Sequence, residues 1–569
     1  MYKALYNSWL NSGKLNEKEI KELKSIAENE KEIEYRFGKE LEFGTAGMRG
    51  IIGLGTNMMN VHVVKKATQG LAEYIKTLGK DAIKSGVVIS YDTRRCSYDF
   101  AYATALVLVS NGITAHLFRE VHPVPMLSFA VREMKAVAGV MITASHNPKE
   151  YNGYKVYGSD GAQMSVESTK EVVKFIDQIG DALSDKILCD ESKTKLIKVV
   201  SKKIDKKYYK TIKKLCLSKQ AVKKIGKNIK LVYTPVHGSG YIPVTTILKK
   251  LGILATLVPE QTVKDTEFST VKVPNPEVKE TLALGIKLAD FKGADVVFGT
   301  DPDCDRLGVA VRNDKGEFVA LSGNQTGVLL LDYVLKRLSE SKNITKKGFV
   351  VKSFVSTSLA KLIADDYGVE LIETPVGFKF IGEKIKQLDD TGKREFIFGF
   401  EESCGYLRGT HCRDKDAVVA SMLFAEMICY YNYMGVGIYQ RLMEIYDKYG
   451  FVFDTNVSTA YSGLNAMKEM NAVVDKMKEI KIDSLGGVKV LATRDYSKAQ
   501  KTLADGSVEK IESPPTNAVY YELESGGFVC VRPSGTEPKL KVYYSLKEKD
   551  MESATNLFEK VKSDFEKYL

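Results

Sequence analysis

Ser145 stands in the stretch Thr143-Ala-Ser-His-Asn-Pro-Lys-Glu-Tyr-Asn-Gly-Tyr-Lys155. The apolar run Ala136 to Ile142 before it reads as a buried strand, which delivers the serine to a loop at the strand's end. Pro148 and the Asn152-Gly153 pair turn that loop sharply. A hydroxyl on a tight loop can be reached from outside the fold and is a candidate nucleophile. His146 is a poor base for it, because adjacent side chains are expected to point apart, so a peptidase-like triad is not indicated. By itself the stretch reads as a polar turn.

Two distant stretches change that reading. Ala294-Asp-Val-Val-Phe-Gly299 is a buried-strand pattern that runs into Thr300-Asp-Pro-Asp-Cys-Asp-Arg306. Asp301, Asp303 and Asp305 alternate, so their carboxylates can converge in a turned, extended loop. Three carboxylates so close repel unless a divalent cation sits between them, and hard oxygen donors favour Mg²⁺. An EF-hand is excluded, since Arg306 and Arg312 occupy the positions of its invariant glycine and its glutamate. Near the end of the chain, Arg532-Pro-Ser-Gly-Thr-Glu-Pro-Lys539 follows an apolar strand. Ser534, Gly535 and Thr536 there can offer backbone N–H groups and hydroxyls to one anion, which Arg532 can bind with two parallel hydrogen bonds. The glycine-rich segment Phe43 to Gly50 reads as a loop that brings Arg49 to a phosphate. Together these stretches describe a phosphoryl-transfer site.

The elements that must position them come from the rest of the pattern. At 569 residues the chain exceeds one hydrophobic core. Three times a strand leads through a polar turn into a helix, then a glycine, then another strand: Gly86 to Asp92 with DTRR, Leu231 to Thr234 with PVHGSG, and Phe349 to Ser353 with FVSTS. The repetition predicts three related, mainly parallel α/β domains, followed by a smaller C-terminal α+β domain. The expected divisions are 1–205, 206–325, 326–450 and 451–569. Ligands of such sheets bind at the carboxyl ends of the strands. Residues 16–36 read as one charged surface helix with Ile20, Leu23 and Ile26 on its inner side. There is no GxxxxGK[ST] and no GxGxxG.

Composition excludes other classes. Apolar content of 44% and charged content of 27% are ordinary for a globular protein. No window offers the ~18 unbroken apolar residues of a membrane helix, and the N-terminus lacks the apolar core of an export signal. A cytoplasmic protein without a membrane partner is expected, with its eight scattered cysteines reduced. The net charge of +11 could suggest nucleic acid, but much of it lies in 201–230. There Ile204, Tyr208, Ile212 and Leu215 recur at helical spacing, so the lysines form the solvated face of an amphipathic helix and no nucleic-acid partner is expected.

With these motifs in this order, the chain resembles the α-D-phosphohexomutase superfamily, and within it the phosphoglucomutases, over nearly its whole length. The resemblance implies four domains around a central cleft and a phosphoserine at Ser145, assisted by His146. It implies Mg²⁺ on Asp301, Asp303 and Asp305 with Ser145 beside it. Glu401 and Ser403 of Gly399-Phe-Glu-Glu-Ser-Cys-Gly-Tyr406 would bind sugar hydroxyls, together with Val376, Gly377 and Lys379 of Thr374 to Lys379. Arg49, Lys155, Arg306 and Lys415 would assist catalysis, with Lys155 or Lys415 moving the proton. Arg532, Ser534, Gly535 and Thr536 would hold the phosphate that is not reacting. The implied reaction interconverts glucose 1-phosphate and glucose 6-phosphate through glucose 1,6-bisphosphate, which also serves as activator. Phosphomannomutase or phosphopentomutase activity is the alternative, because Cys404 interrupts the usual sugar loop before Gly405. A phosphatase with an aspartate nucleophile is the rival enzyme, and the third aspartate and the Arg532 loop speak against it. The sequence leaves the oligomeric state open.

Overall fold

The computed structural model describes residues 2–44, 47–461, 466–534 and 539–569. Four sheets follow one another along the chain. The first orders its strands Gly47–Ile51, Tyr151–Gly158, Ala138–Ile142, Val87–Tyr91, Ala115–Leu117 and Lys198–Val199. Its last three junctions are parallel and its first two antiparallel. In the second, Leu231–Thr234 pairs in parallel with Val296–Thr300 and Thr256–Leu257, while Leu307–Arg312 returns antiparallel to Val296–Thr300. In the third, Gly348–Ser353 is flanked in parallel by Glu370–Thr374 and Glu395–Glu401, and Gly405–Leu407 returns antiparallel. The fourth sheet is antiparallel throughout its described pairs, with the helices Ala466–Glu479 and Met551–Glu566 beside it.

A parallel core with an antiparallel flank therefore recurs three times. The flank has a consequence for function. The Ser145 loop joins Ala138–Ile142 to Tyr151–Gly158, the aspartate loop joins Val296–Thr300 to Leu307–Arg312, and the Glu401 loop joins Glu395–Glu401 to Gly405–Leu407. Each motif thus sits on a strand-to-strand connection, whereas the repeated strand-to-helix turns DTRR, PVHGSG and FVSTS lie beside them.

Two local expectations change. Residues 16–36 form two helices, Glu17–Ser25 and Glu30–Phe37, because Asn29 accepts the Glu32 N–H and caps a second start. Arg49 lies on the edge strand Gly47–Ile51, in register with Gly153, rather than on a loop. Glycine makes that approach possible: a Cβ at Gly153 would lie 2.9 Å from the Met48 carbonyl oxygen of that strand. The lysine-rich segment starts with the helix Lys202–Lys213, which buries Tyr208, Tyr209 and Ile212 and exposes its lysines. Positions 205 and 325 fall inside the helices Lys202–Lys213 and Gly323–Glu340, so continuous helices carry the chain from one sheet toward the next.

The second and third sheets share one core. The helix Ala417–Tyr433 is apolar almost all round and buried from Ala417 to Tyr431, as a helix wedged between layers must be. Phe424 on it meets Phe298 of the second sheet edge to face, with centroids 5.5 Å apart. The fourth domain has its own core, with Val474, Tyr521, Val529 and Phe565 among its residues. It docks on the third domain through Phe354 stacked on Tyr496 at 4.1 Å and through Arg494, 2.8 Å from Glu373. No helix among the described residues is long and apolar enough to cross a membrane.

Gly323, at the first position of its helix, shows how tightly the third domain's loop is held. A Cβ there would lie 1.9 Å from the Glu402 carbonyl oxygen and 2.7 Å from the Cys404 nitrogen. Gly323→Ala should therefore displace the Glu401–Cys404 turn and cost about 1–3 kcal/mol, the usual range for overpacking. A calorimetric melt checks this, and a melting temperature equal to that of the unmodified protein would contradict it.

Candidate active site

The Ser145 loop is shaped by an unusual backbone. Ser145 has φ +52°, in the left-handed region that side chains seldom occupy. The Thr143 hydroxyl receives the Ser145 N–H at 2.8 Å and itself donates to Asp92 at 2.6 Å. In this conformation the Ser145 hydroxyl, almost fully buried, donates to Asp301 Oδ2 at 2.9 Å. It also lies 3.2 Å from His146 Nδ1. The expectation that the adjacent side chains point apart is thus corrected, and the left-handed turn at Ser145 is the reason. Burial first, then Arg306 and Arg49, holds the His146 imidazole well below its ordinary pKa, so it is neutral near pH 7.

The aspartate loop meets the serine from the second domain. Asp301, Asp303 and Asp305 are buried, and one oxygen of each falls within 4.8 Å of the others. Asp301 Oδ1 accepts the N–H groups of Asp305 and Arg306 at 3.1 and 3.0 Å. Among the described residues, Asp303 Oδ1 and Asp305 Oδ1 are buried without a hydrogen-bond partner. Burial, then the neighbouring carboxylates, pushes Asp301 well up. Burial acts on Asp303 in the same direction, but Lys155 leads the groups that hold it below the usual carboxylate range. Unpartnered hard oxygens converging in a buried site are the donor set of a divalent cation, so the three residues fit one.

Cations surround the triad. Lys155 Nζ is 2.9 Å from Asp303 Oδ2, and Lys415 Nζ is 2.9 Å from Asp305 Oδ2 as an ion pair without hydrogen-bond alignment. Burial opposes the Lys415 charge, but Asp305 and Asp414 more than compensate and raise its pKa. Arg306 pairs with Glu277 and lies 4.0 Å from Asp305. Arg49 donates to the Asn147 side chain at 2.7 Å, next to the serine loop.

The sugar-loop candidates come from the third domain. Arg306 and Gly405 form an antiparallel bridge, and the Leu307 N–H donates to the Cys404 carbonyl at 3.0 Å, which stitches the two loops together. Glu401 accepts the Gly377 N–H at 2.7 Å, so the segments containing Val376–Gly377 and Glu401 form one surface. Burial, then Glu402, pushes the Glu401 carboxyl up to about 7. Lys379 lies in the first turn of the helix Phe378–Leu388, and Ser403 is half-buried beside Cys404. Cys404, the residue that interrupts the usual loop, has φ +59°.

In the fourth domain Arg532 donates to the Tyr543 hydroxyl at 3.3 Å, and the Ser534 N–H donates to the Lys539 carbonyl. Gly535 and Thr536 lie outside the described residues. Two groups escaped the sequence reading. Lys541 is directly opposite Arg532 in the antiparallel pair and so shares its face; the charges felt by Lys541 are those of Glu402, Arg532, Glu277 and Arg306. The KLKVYYS strand pattern could have found it, had its register with the RPSGTEP strand been known. Arg94 lies inside DTRR, and nothing in a polar turn advertised it.

Four family models match in chain order. They are described as phosphoglucomutase/phosphomannomutase α/β/α domain I at residues 40–182, domain II at 206–316, domain III at 322–449 and the C-terminal domain at 469–561. A phosphoglucomutase of Staphylococcus aureus (strain USA300) is 37% identical over 530 residues, 92% of this chain and 93% of that protein. Among solved structures, the fold resembles that of pp63/parafusin, a phosphoglucomutase from Paramecium in its open form. That likeness has TM-score 0.67 at 18% identity, over 93% of this chain and 95% of the other. A phosphoglucomutase/phosphomannomutase family protein from Burkholderia thailandensis gives TM-score 0.64 at 17% identity, over 93% and 96%.

Proposed function

This chain belongs to the phosphoglucomutase/phosphomannomutase family, and from that premise we propose that it interconverts α-D-glucose 1-phosphate and glucose 6-phosphate in the cytoplasm. The observation that carries the proposal is the contact between domains: the Ser145 hydroxyl of the first meets the buried triad of the second at 2.9 Å. Ser145 carries the phosphoryl group. The P–O bond to Ser145 breaks as a bond forms to the free hydroxyl of the sugar phosphate, and that hydroxyl's proton ends on the departing Ser145 oxygen, leaving a free serine hydroxyl. The resulting glucose 1,6-bisphosphate turns around, and its other phosphoryl group returns to Ser145. Added bisphosphate activates by passing one phosphoryl group to unphosphorylated Ser145 and leaving as a glucose monophosphate.

Asp301, Asp303 and Asp305, with the phosphoryl group on Ser145, would hold Mg²⁺, which when bound neutralises charge developing on the transferring group. Lys155, Lys415 and Arg306 add fixed positive charge around the same point. Glu401 accepts a sugar hydroxyl, with Ser403 and the Val376–Lys379 segment completing the sugar surface. Arg532 and Ser534, with Gly535 and Thr536, grip the phosphate that is not reacting, and Lys541 joins them.

A coupled assay across 1-phosphosugars tests the assignment. Glucose 1-phosphate should give the highest kcat/KM, and preference for mannose or pentose phosphates would replace the sugar while keeping the chemistry. Arg532→Ala tests the phosphate grip. Each charge-assisted hydrogen bond lost costs about 1.5–3 kcal/mol, so KM should rise on the order of 10- to 100-fold. Lys541→Met, one charge without the fork of an arginine, should raise KM less. Unchanged KM in both folded variants would remove the fourth domain from the substrate site.

A further inference from the structure

In each α/β domain the strand-to-helix turn grips the functional loop beside it. Ser239 of PVHGSG donates both its N–H and its hydroxyl to the Pro302 carbonyl of the aspartate loop, each at 2.8 Å. Ser353, at the end of the strand, and Ser356 of FVSTS donate to the Glu402 carboxylate at 2.8 and 3.3 Å, and Ser356 also accepts the Glu402 N–H. The first domain has the strongest version. The Arg94 side chain is fully buried, and its guanidinium donates to four carbonyls of the serine loop. These are Ser145 and Asn147 at 2.5 Å, Pro148 at 2.8 Å and Tyr151 at 3.2 Å. Its Nε faces Asp92 at 3.3 Å, and the same carboxylate anchors Thr143. Phe268, from the second domain, covers the guanidinium 5.0 Å from its ring centroid.

We propose that Arg94 is a positioning residue for Ser145. By tying down the serine's own carbonyl and three that follow, it imposes the left-handed turn that aims the hydroxyl at Asp301. A free loop would relax toward ordinary backbone angles, since a left-handed serine is disfavoured. The same grip fixes Asn147, to which Arg49 donates. A planar five-donor fork suits four converging carbonyls, and a lysine ammonium has only three donors around a point charge. The inference rests on Ser145 being the phosphoryl carrier.

Arg94→Lys keeps the charge and loses the fork. A misplacement of about 1 Å typically costs ~10²-fold, so kcat should fall about that far while KM stays within threefold, because the sugar and phosphate grips belong to the third and fourth domains. A second readout follows the backbone directly. With Arg94 present, Ser145→Gly should melt roughly 2–4 °C above Ser145→Ala, because glycine accepts the left-handed angle freely. With Arg94→Lys the gap should shrink by at least half. Unchanged kcat, a loss confined to KM, or an unchanged melting gap in folded Arg94→Lys would overturn the proposal. Should Arg94→Lys fail to fold, Asp92→Asn, which leaves the arginine without its carboxylate partner, is held to the same kinetic and melting criteria. If instead Ser145→Ala itself stays active, the phosphoserine assignment fails, and the melting gap still decides whether Arg94 shapes the loop.

Discussion

Ser145→Ala should carry no phosphate on its loop and should turn over at most ~10⁻⁴ as fast as the unmodified protein, the scale seen when a covalent nucleophile is removed. The geometry makes the prediction specific. The hydroxyl is buried and faces the triad, while the neighbouring Thr143 hydroxyl is committed to Asp92. Alanine leaves those surroundings and the three aspartates in place, so folding should survive. Intact-mass measurement with peptide mapping should find one phosphate in the unmodified protein, on the peptide containing Ser145, and none in the variant. Full activity in the alanine protein would sink the phosphoserine mechanism, whatever the family.

The parts of this site that the sequence made legible are those whose residue types announce their chemistry. Three alternating aspartates behind an apolar strand repel without a cation, and the structure does bring Asp301, Asp303 and Asp305 together. Lys155 and Lys415, distant from the triad in sequence, each lie 2.9 Å from one of its carboxylates. What stayed hidden depends on backbone geometry. The left-handed turn at Ser145 reverses the expectation for His146, and no side-chain pattern encodes it. Arg94 is invisible for the same reason: its partners are main-chain carbonyls, which every residue possesses. Lys541 needed the strand register, and register follows from pairing across the sheet. The repeated strand-to-helix turns correctly announced three α/β domains, yet these turns are the supports of the candidate site. The Ser145, aspartate and Glu401 loops are the strand-to-strand connections next door.

Replacing Asp303 by asparagine should lower kcat by about 10²- to 10⁴-fold and raise the Mg²⁺ concentration needed for half-maximal rate. Asp303 is the member of the triad that stays ionised most readily, since Lys155 leads the groups holding it below the ordinary carboxylate range despite burial. Its Oδ1 has no hydrogen-bond partner among the described residues, while Oδ2 pairs with Lys155. Asparagine keeps the size and one carbonyl oxygen but removes the negative charge that both a divalent cation and Lys155 use. Two consequences separate a metal ligand from a merely structural acid. Metal content after dialysis, read by atomic spectroscopy, should fall in the variant. The unmodified enzyme stripped with a chelator should lose activity and regain it on addition of Mg²⁺, whereas the variant should regain little at the same concentration. Loss of activity in the variant with metal content and Mg²⁺ dependence unchanged would leave Asp303 as a partner for Lys155 alone. An unmodified enzyme that stays fully active after chelation would remove the triad from the chemistry and leave the Ser145–Asp301 contact as a structural hydrogen bond.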